Sequence, residues 1–104
     1  SLRRSLSVEL CDWLVKQKAK VHVFDPAVKK LPKHWDGKIK KYNNALDSIK
    51  NSDALIIGTF WPEFKKLTNK IKRTVKKKLV IIDPDNKLKI RTLKSNIRCI
   101  TFGN

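Results

Sequence analysis

The sequence predicts an α/β domain built on a parallel sheet with flanking helices. Three short, β-branched apolar runs share one design, and each is closed by a turn signal, at 21–26, 54–59 and 79–84. Their near-continuous apolar character is typical of strands covered on both faces, as in parallel sheets. Segments with helical spacing lie between these runs. Such alternation favours parallel strands joined by right-handed crossovers.

The first element is predicted to be a helix from Ser7 onward. Val8, Cys11 and Val15 follow helical spacing, and either Ser5 or Ser7 suits the N-cap position. The remaining elements are a strand at 21–25, a Lys- and Pro-rich loop at 27–42, a helix at 44–51, a strand at 54–59, a helix from Pro62, a strand at 79–83, a helix at 87–94 and a final strand from 97. Thr59 is expected at the carboxyl end of its strand, where open α/β sheets bind ligands.

The size of the chain limits its organisation. Its 104 residues are enough for one domain with one core, so residues 1–104 are expected to form a single domain. The chain begins at Ser1 and contains no methionine, and we therefore expect a fragment of a longer protein. It shows neither an 18-residue apolar run nor the apolar segment of a signal peptide, so we expect a cytoplasmic location and no membrane span.

The net charge of +16 raises the question of nucleic-acid binding. The lysines, however, are scattered over every segment, and only five of the 25 basic residues are arginine. Arginine suits phosphates and base edges better than lysine does, because its guanidinium group donates paired hydrogen bonds. The pattern favours a solvated lysine surface over a nucleic-acid groove.

The chain lacks several kinds of catalytic machinery. It has no glycine-rich phosphate loop, no nucleophile elbow and no cluster of metal ligands. His22 and His34 are isolated, which favours packed or half-exposed histidines over ligands or bases. Cys11 and Cys99 belong to no C-x-x-C pair. Two buried, reduced thiols are favoured over a disulfide or a nucleophile.

Four stretches match or resemble a known series of motifs in the correct order. "SLRRSLSVELCDWLVKQKAKVHVFDP" follows the pattern D-x-R-x-S-P-S, helix, G-A-x-V-x-V-Y-D-P. "SDALIIGTFWPEF" matches A-D-A, two hydrophobic residues, x-T-x-W-x-E-F, while "IIDPDN" and "TFGN" resemble I-D-G-R-N and a terminal G-I-G. With these motifs the chain resembles the C-terminal, nucleotide-binding domain of the UDP-glucose/GDP-mannose dehydrogenase family.

The resemblance implies a Rossmann-like fold that lacks the family's first strand. That strand is normally central in the sheet, so a gap is expected between the strands that start at Val21 and Ala54. An exposed or partner-filled sheet edge would follow, and with it a homo-oligomer or another partner.

The resemblance also implies an activity for the parent protein. Such enzymes oxidise the C6 alcohol of a nucleotide sugar to a carboxylate in two NAD-dependent steps, and so supply polysaccharide precursors. Their cysteine nucleophile lies in a G-G-x-C-x-x-K-D setting in the N-terminal NAD-binding and catalytic part. Neither Cys11 nor Cys99 has that setting. We therefore expect no catalytic residue here, nucleotide-sugar binding only as part of the parent, and no tight binding of NAD by this chain alone.

Three residues correspond to family positions at the ligand. Arg3 matches the arginine on the NAD side of the cleft, and we expect it just before the first helix. Thr59 and Asp85 fall at the nucleotide-sugar side. Asp85 replaces the family's arginine and Pro84 the preceding glycine. An acidic group that faces a pyrophosphate would repel it, so weak nucleotide binding is expected.

Lys18 replaces the glycine that ends the first helix in the family, at a cost of about 1 kcal/mol in stability if its backbone is left-handed.

A second function from another class stays open at this stage. The chain could be a diverged, non-catalytic binding module that uses its lysine-rich surface on nucleic acid or another polyanion. Salt-dependent retention on DNA, compared with saturable UDP binding, would separate the two.

Overall fold

The computed structural model describes the backbone of residues 2–90 and 94–102 and the side chains of residues 7–90 and 94–102. The chain divides into two compact units, 1–48 and 49–104. Each unit carries its own parallel sheet and at least one helix, which confirms the predicted α/β class. No helix within the described ranges has the length and apolar character needed to cross a membrane.

The first unit contains one long helix and a two-stranded sheet. Helix α1 (Leu2–Lys16) is followed by β1 (Val21–Val23), a 3₁₀ turn (Lys33–Trp35) and β2 (Ile39–Lys41). The strands β1 and β2 are parallel, with Val21 opposite Ile39. The buried core of Val21, Trp35 and Ile39 packs against the apolar side of α1. Burial of this helix face, more than intrinsic propensity, is what stabilises such an element.

Helix α2 (Ala45–Ile49) has a clear start signal. Asn44 precedes it, and its side-chain oxygen accepts the Asp47 backbone N–H at 3.2 Å. This is the N-cap contact that satisfies one of the free amides at a helix start. The predicted helix at 44–51 is thereby confirmed, with narrower limits.

The second unit contains a three-stranded sheet. Its strands β3 (Ala54–Ile56), β4 (Leu79–Ile82) and β5 (Ile97–Ile100) are all parallel, in the order β3-β4-β5. A 3₁₀ turn (Pro62–Lys66) leads into helix α3 (Leu67–Thr74) between β3 and β4. The central strand is the most buried, because Leu79 and Ile81 are 1% and 0% exposed. The β-branched runs thus form the strands that their composition predicts.

Three expectations about the elements were wrong. Helix α1 begins at Leu2, so Ser5 and Ser7 lie inside it and neither is its N-cap. The predicted loop at 27–42 contains strand β2, which lies among lysines and has only one buried apolar residue to signal it. The predicted helix at 87–94 is absent from the described residues 87–90 and 94.

The strands form two sheets. Among the described residues β1 pairs with β2, whereas β3 pairs with β4. Strands β1 and β3 are thus not paired with each other among the described residues, and the gap between them stays a prediction.

Candidate functional site: the carboxyl edge of the second sheet

The carboxyl ends of β3, β4 and β5 share one edge of the second unit's sheet, because the three strands are parallel. Backbone hydrogen bonds continue past the strand ends and tie the loops together. The Ile57 N–H donates to the Ile82 carbonyl at 2.9 Å, and the Asp83 N–H donates to the Ile100 carbonyl at 2.9 Å. We call this region, residues 57–61, 83–88 and 101–102, the carboxyl edge.

Thr59 and Asp85 occupy equivalent places on the carboxyl edge. Ile56 and Ile82 are register partners, and Thr59 and Asp85 are each the third residue beyond them. Thr59 is half-buried and Asp85 is exposed in a turn. The structure therefore puts these two predicted site residues in adjacent loops at one edge of one sheet.

The loop that carries Asp85 is organised by a buried carboxylate. Asp83 is 1% exposed, and its oxygens accept the backbone N–H groups of Lys87 at 3.1 Å and Leu88 at 2.8 Å. The Asp83 carbonyl accepts the Asn86 N–H at 3.0 Å. Since a carboxylate that accepts amide N–H groups makes strong, charge-assisted hydrogen bonds, this loop holds a fixed shape without a helix. Asp83 is a structural residue that the sequence reasoning missed.

A signal for this loop is present in the sequence "DPDN". Pro84 and Asn86 favour turns, and Asn86 has a left-handed backbone with φ 53°. Lys89 is also left-handed at φ 49°. Two such residues within 86–89 interrupt a right-handed helix, which explains why the described residues 87–90 are not helical.

Aromatic residues border the other loops of the carboxyl edge. After β3, the rings of Phe60 and Phe64 meet edge to face with centroids 6.0 Å apart, and the Phe64 N–H donates to the Trp61 carbonyl at 2.9 Å. After β5, Phe102 is 62% exposed, and its N–H donates to the Pro84 carbonyl at 3.0 Å. An exposed ring thus lies next to the Asp85 loop, a feature that the sequence analysis did not single out.

Arg3 belongs to the other unit. The sequence predicts Arg3 just before the first helix, but the residue lies within α1. Its side chain is outside the described residues. The structure therefore places Thr59 and Asp85 at one edge of one sheet, whereas the contacts of Arg3 lie outside the described residues.

The loop at the carboxyl end of β1 does not fit a dinucleotide cradle. There the Asp25 carboxylate accepts the Ala27 N–H at 2.8 Å, and the Asp25 carbonyl accepts the Val28 N–H at 3.2 Å. A phosphate site needs free backbone N–H groups and little negative charge, whereas here the amides are used and a carboxylate is present. This loop therefore offers no phosphate site of the glycine-loop type.

Both cysteines are free thiols with low reactivity. Burial, and then the charge of Asp12, raises the pKa of Cys11, while burial and Asp83 raise the pKa of Cys99. Because the thiolate is the nucleophile and the metal ligand, a raised pKa keeps each sulfur protonated near neutral pH. No group of three candidate metal ligands occurs in the described part of the chain.

The two histidines, isolated in sequence, both have partners in the first unit. His34 Nε2 lies 3.0 Å from Asp12 Oδ1, which also accepts the Trp35 indole N–H at 2.6 Å. These hydrogen bonds, that of Trp35 first, lower the pKa of Asp12. His22 Nδ1 donates to the Ser48 carbonyl at 3.0 Å. Both contacts hold loops and helices in place.

The parallel strands and the crossover helix α3 define a Rossmann-like α/β protein. Residues 1–90 match the UDP-glucose/GDP-mannose dehydrogenase family, UDP binding domain, and the chain belongs to this family.

A curated relative supports the same assignment. The chain is 33% identical over 88 residues to the protein named "Putative UDP-glucose 6-dehydrogenase YtcA" of Bacillus subtilis (strain 168). The alignment covers 85% of this chain and 20% of the relative, so the chain spans about a fifth of that protein's length. No solved structure gives a significant match.

Proposed function

We propose that this chain is the nucleotide-sugar-binding part of an NAD-dependent nucleotide-sugar 6-dehydrogenase of the UDP-glucose or GDP-mannose type. Its membership of the dehydrogenase family supports the class of enzyme. The observation that carries the assignment to a site is the placement of Thr59 and Asp85 at matching positions beyond adjacent parallel strands. Ligands of open α/β sheets bind at this end of the strands.

In this proposal the chemistry belongs to other parts of the parent protein. NAD and the catalytic cysteine lie in an N-terminal NAD-binding and catalytic domain, and this chain contributes no catalytic residue. Within the parent, Arg3 faces the cofactor side of the cleft. The raised pKa values of Cys11 and Cys99 agree with a non-catalytic role. We place the enzyme in the cytoplasm, where it would supply polysaccharide precursors.

The open strand edges suggest how the chain meets its partners. Strands β1 and β3 each have a hydrogen-bonded neighbour on one side only among the described residues. An unpaired edge is a template for an added strand. We propose that a segment of the parent or of a second copy covers these edges, so that residues 1–104 form a single domain only within that assembly.

Asp85 sets the strength of nucleotide binding in this proposal. Its exposed carboxylate lies on the carboxyl edge, where a diphosphate carries two or more negative charges. A guanidinium at the same place would add a charge-assisted hydrogen bond of about 1.5–3 kcal/mol and remove the repulsion. Since about 1.4 kcal/mol corresponds to a tenfold change in Kd, Asp85→Arg should tighten UDP binding by roughly 10- to 100-fold.

Isothermal titration calorimetry with UDP and GDP tests this prediction. The matched control is Asp36→Arg, which makes the same charge change at an exposed position of the first unit. We expect the native chain to bind weakly, Asp85→Arg to bind tightly, and Asp36→Arg to resemble the native chain. Thr59→Val in the Asp85→Arg background should weaken binding again, because it removes a hydroxyl at the same edge.

Two results would contradict the proposal. Tight binding by the native chain that weakens in Asp85→Arg would show that the site lies elsewhere. Equal gains in Asp85→Arg and Asp36→Arg would show that only the net charge of the chain matters.

A further inference from the structure

The segment 62–78, which contains α3, is a strongly basic part of the second unit. It has eight basic side chains and one acidic side chain, that of Glu63. Seven of the basic side chains are exposed, and six of these seven have no ion-pair partner among the described residues. These six, called the α3 basic face, are Lys65, Lys66, Lys70, Arg73, Lys76 and Lys78.

Three of these charges follow the exposed side of α3: Lys66 is its N-cap, and Lys70 and Arg73 lie within it. Leu67 and Ile71 point into the unit and are 7% and 1% exposed. Lys66, Lys70 and Arg73 recur four and three residues apart on the exposed side, at rises of about 6 and 4.5 Å along the axis. Lysines that look scattered in the sequence therefore form a row on the surface.

Two neighbouring lysines have partners within the second unit and are therefore not part of the α3 basic face. The Lys77 ammonium lies 2.9 Å from the Asp53 carboxylate and 3.3 Å from the Asn51 carbonyl. Lys94 donates to the Lys72 carbonyl near the end of α3, at 2.8 Å. These contacts satisfy two lysines within the unit, whereas the α3 basic face has no such partners.

The chemistry of the surface limits its partner. The large apolar side chains that are exposed in the described chain are Leu10, Trp13 and Phe102, and none of them belongs to 62–78. Without an apolar side chain to insert, the face is poorly suited to a membrane interface. Without an aromatic or aliphatic anchor, it also lacks the centre of a protein–protein interface. A partner that needs only a row of negative charges fits best.

We propose that the α3 basic face binds the phosphate backbone of nucleic acid without sequence preference, separately from the nucleotide site at the carboxyl edge. Duplex DNA carries a negative charge about every 3.4 Å along each strand, and such binding needs only cations placed along a surface. Lysine serves here as a point charge for phosphate. Base readout is not expected, because phosphate contacts carry no sequence information.

Fluorescence anisotropy with a labelled 20-base-pair duplex tests this surface in the 104-residue chain. The test variant is Lys66→Gln/Lys70→Gln/Arg73→Gln. The matched control, Lys20→Gln/Lys29→Gln/Lys30→Gln, removes the same charge from exposed positions of the first unit. Circular dichroism checks that both variants stay folded.

The native chain should bind with a slope of log K against log salt near −5, if about six phosphates are neutralised. The α3 variant should lose at least tenfold in affinity at 50 mM salt, and its slope should flatten by about 3. The control should keep the native slope, and two duplexes of different sequence should bind alike.

Several outcomes would overturn the proposal. Equal losses in the two triple variants would show a diffuse effect of net charge, and an absence of duplex binding at 50 mM salt would rule out this partner. Tighter binding to anionic lipid vesicles than to the duplex would point to a membrane partner instead. The Asp85→Arg titration with UDP is unaffected by any of these results, so the two proposals fail separately.

Discussion

Lys18→Gly should leave the first unit more stable than Lys18→Ala does, because glycine relieves a strained backbone at the end of α1. Lys18 has φ 66°, in the left-handed region that suits glycine. The Lys18 N–H donates to the Val15 carbonyl at 2.9 Å, and the Ala19 N–H donates to the Leu14 carbonyl at 3.1 Å. This pair of hydrogen bonds is the Schellman motif, in which the left-handed position is usually glycine.

The expected magnitude follows from two opposing effects. The left-handed conformation costs a residue with a Cβ atom roughly 1–2 kcal/mol. Glycine in turn loses about 0.5–1 kcal/mol more backbone entropy on folding. Measured against Lys18→Ala, which also lacks the lysine charge, the net gain of Lys18→Gly is therefore about 0.5–1 kcal/mol, equivalent to roughly 2–8 °C in Tm for a small domain.

Urea denaturation followed by circular dichroism measures this change, and two variants separate the causes. Lys18→Ala removes the charge but keeps the Cβ atom, so it should lose the favourable interaction of a lysine with the helix C-terminus, about 0.3–1 kcal/mol. Lys16→Gly, inside the last turn, should destabilise by about 1 kcal/mol. If Lys18→Gly proves no more stable than Lys18→Ala, the strain argument is refuted.

Three further predictions concern buried or paired groups. Asp83→Ala should destabilise the second unit by about 2–4 kcal/mol in urea, because the buried Leu88 N–H and the part-buried Lys87 N–H lose their acceptor. Asp85→Ala should stay within about 0.5 kcal/mol, and equal effects would contradict the role of the buried carboxylate. The folded-state pKa of Asp12 is lowered, so its stabilising contribution is complete above its unfolded pKa, near 4, and is lost as pH falls through the folded value. Asp12→Asn should therefore differ most from the native chain near neutral pH and least in acid, and a constant difference in urea midpoint would contradict this. Cys11 and Cys99 should react with iodoacetamide at pH 7 more slowly than free cysteine, since burial raises both pKa values, and a faster reaction at either thiol would argue for an activated nucleophile.

The sequence predicted secondary structure correctly where the local composition favours the same element that the contacts of the folded chain stabilise. The runs at 54–59 and 79–84 have the β-branched residues that strands require, and both form parallel strands. Strand β3 ends three residues before its predicted limit at 59, and β4 ends one residue before its predicted limit at 83. The left-handed backbone of Lys18 was also foreseeable, because the family has a glycine there and φ is indeed 66°.

Other features depend on contacts that the sequence pattern does not show. Strand β2 (Ile39–Lys41) lies in a lysine-rich stretch and forms because it can pair with β1. The 83–88 loop is fixed by hydrogen bonds to the Asp83 carboxylate, which compete with helix formation.

The candidate site was foreseeable only in part. Thr59 and Asp85 lie beyond the ends of neighbouring strands at one edge, since parallel strands direct their carboxyl ends to the same side, while their role in binding stays a prediction. The start of α1 could not be predicted from the serines, because neither Ser5 nor Ser7 is the N-cap. The helix extends back to Leu2 and includes Arg3.

The most direct test of the central claim is where UDP binds. Amide chemical shifts in ¹⁵N–¹H spectra can be followed during titration of the Asp85→Arg chain with UDP, with the Asp36→Arg chain as the control. The account predicts the largest shifts at 57–61 and 83–88, the loops that carry Thr59 and position 85, with saturation only in the Asp85→Arg chain. Largest shifts in 62–78 or in the first unit, or equal saturation in the control, would contradict a nucleotide site at the carboxyl edge.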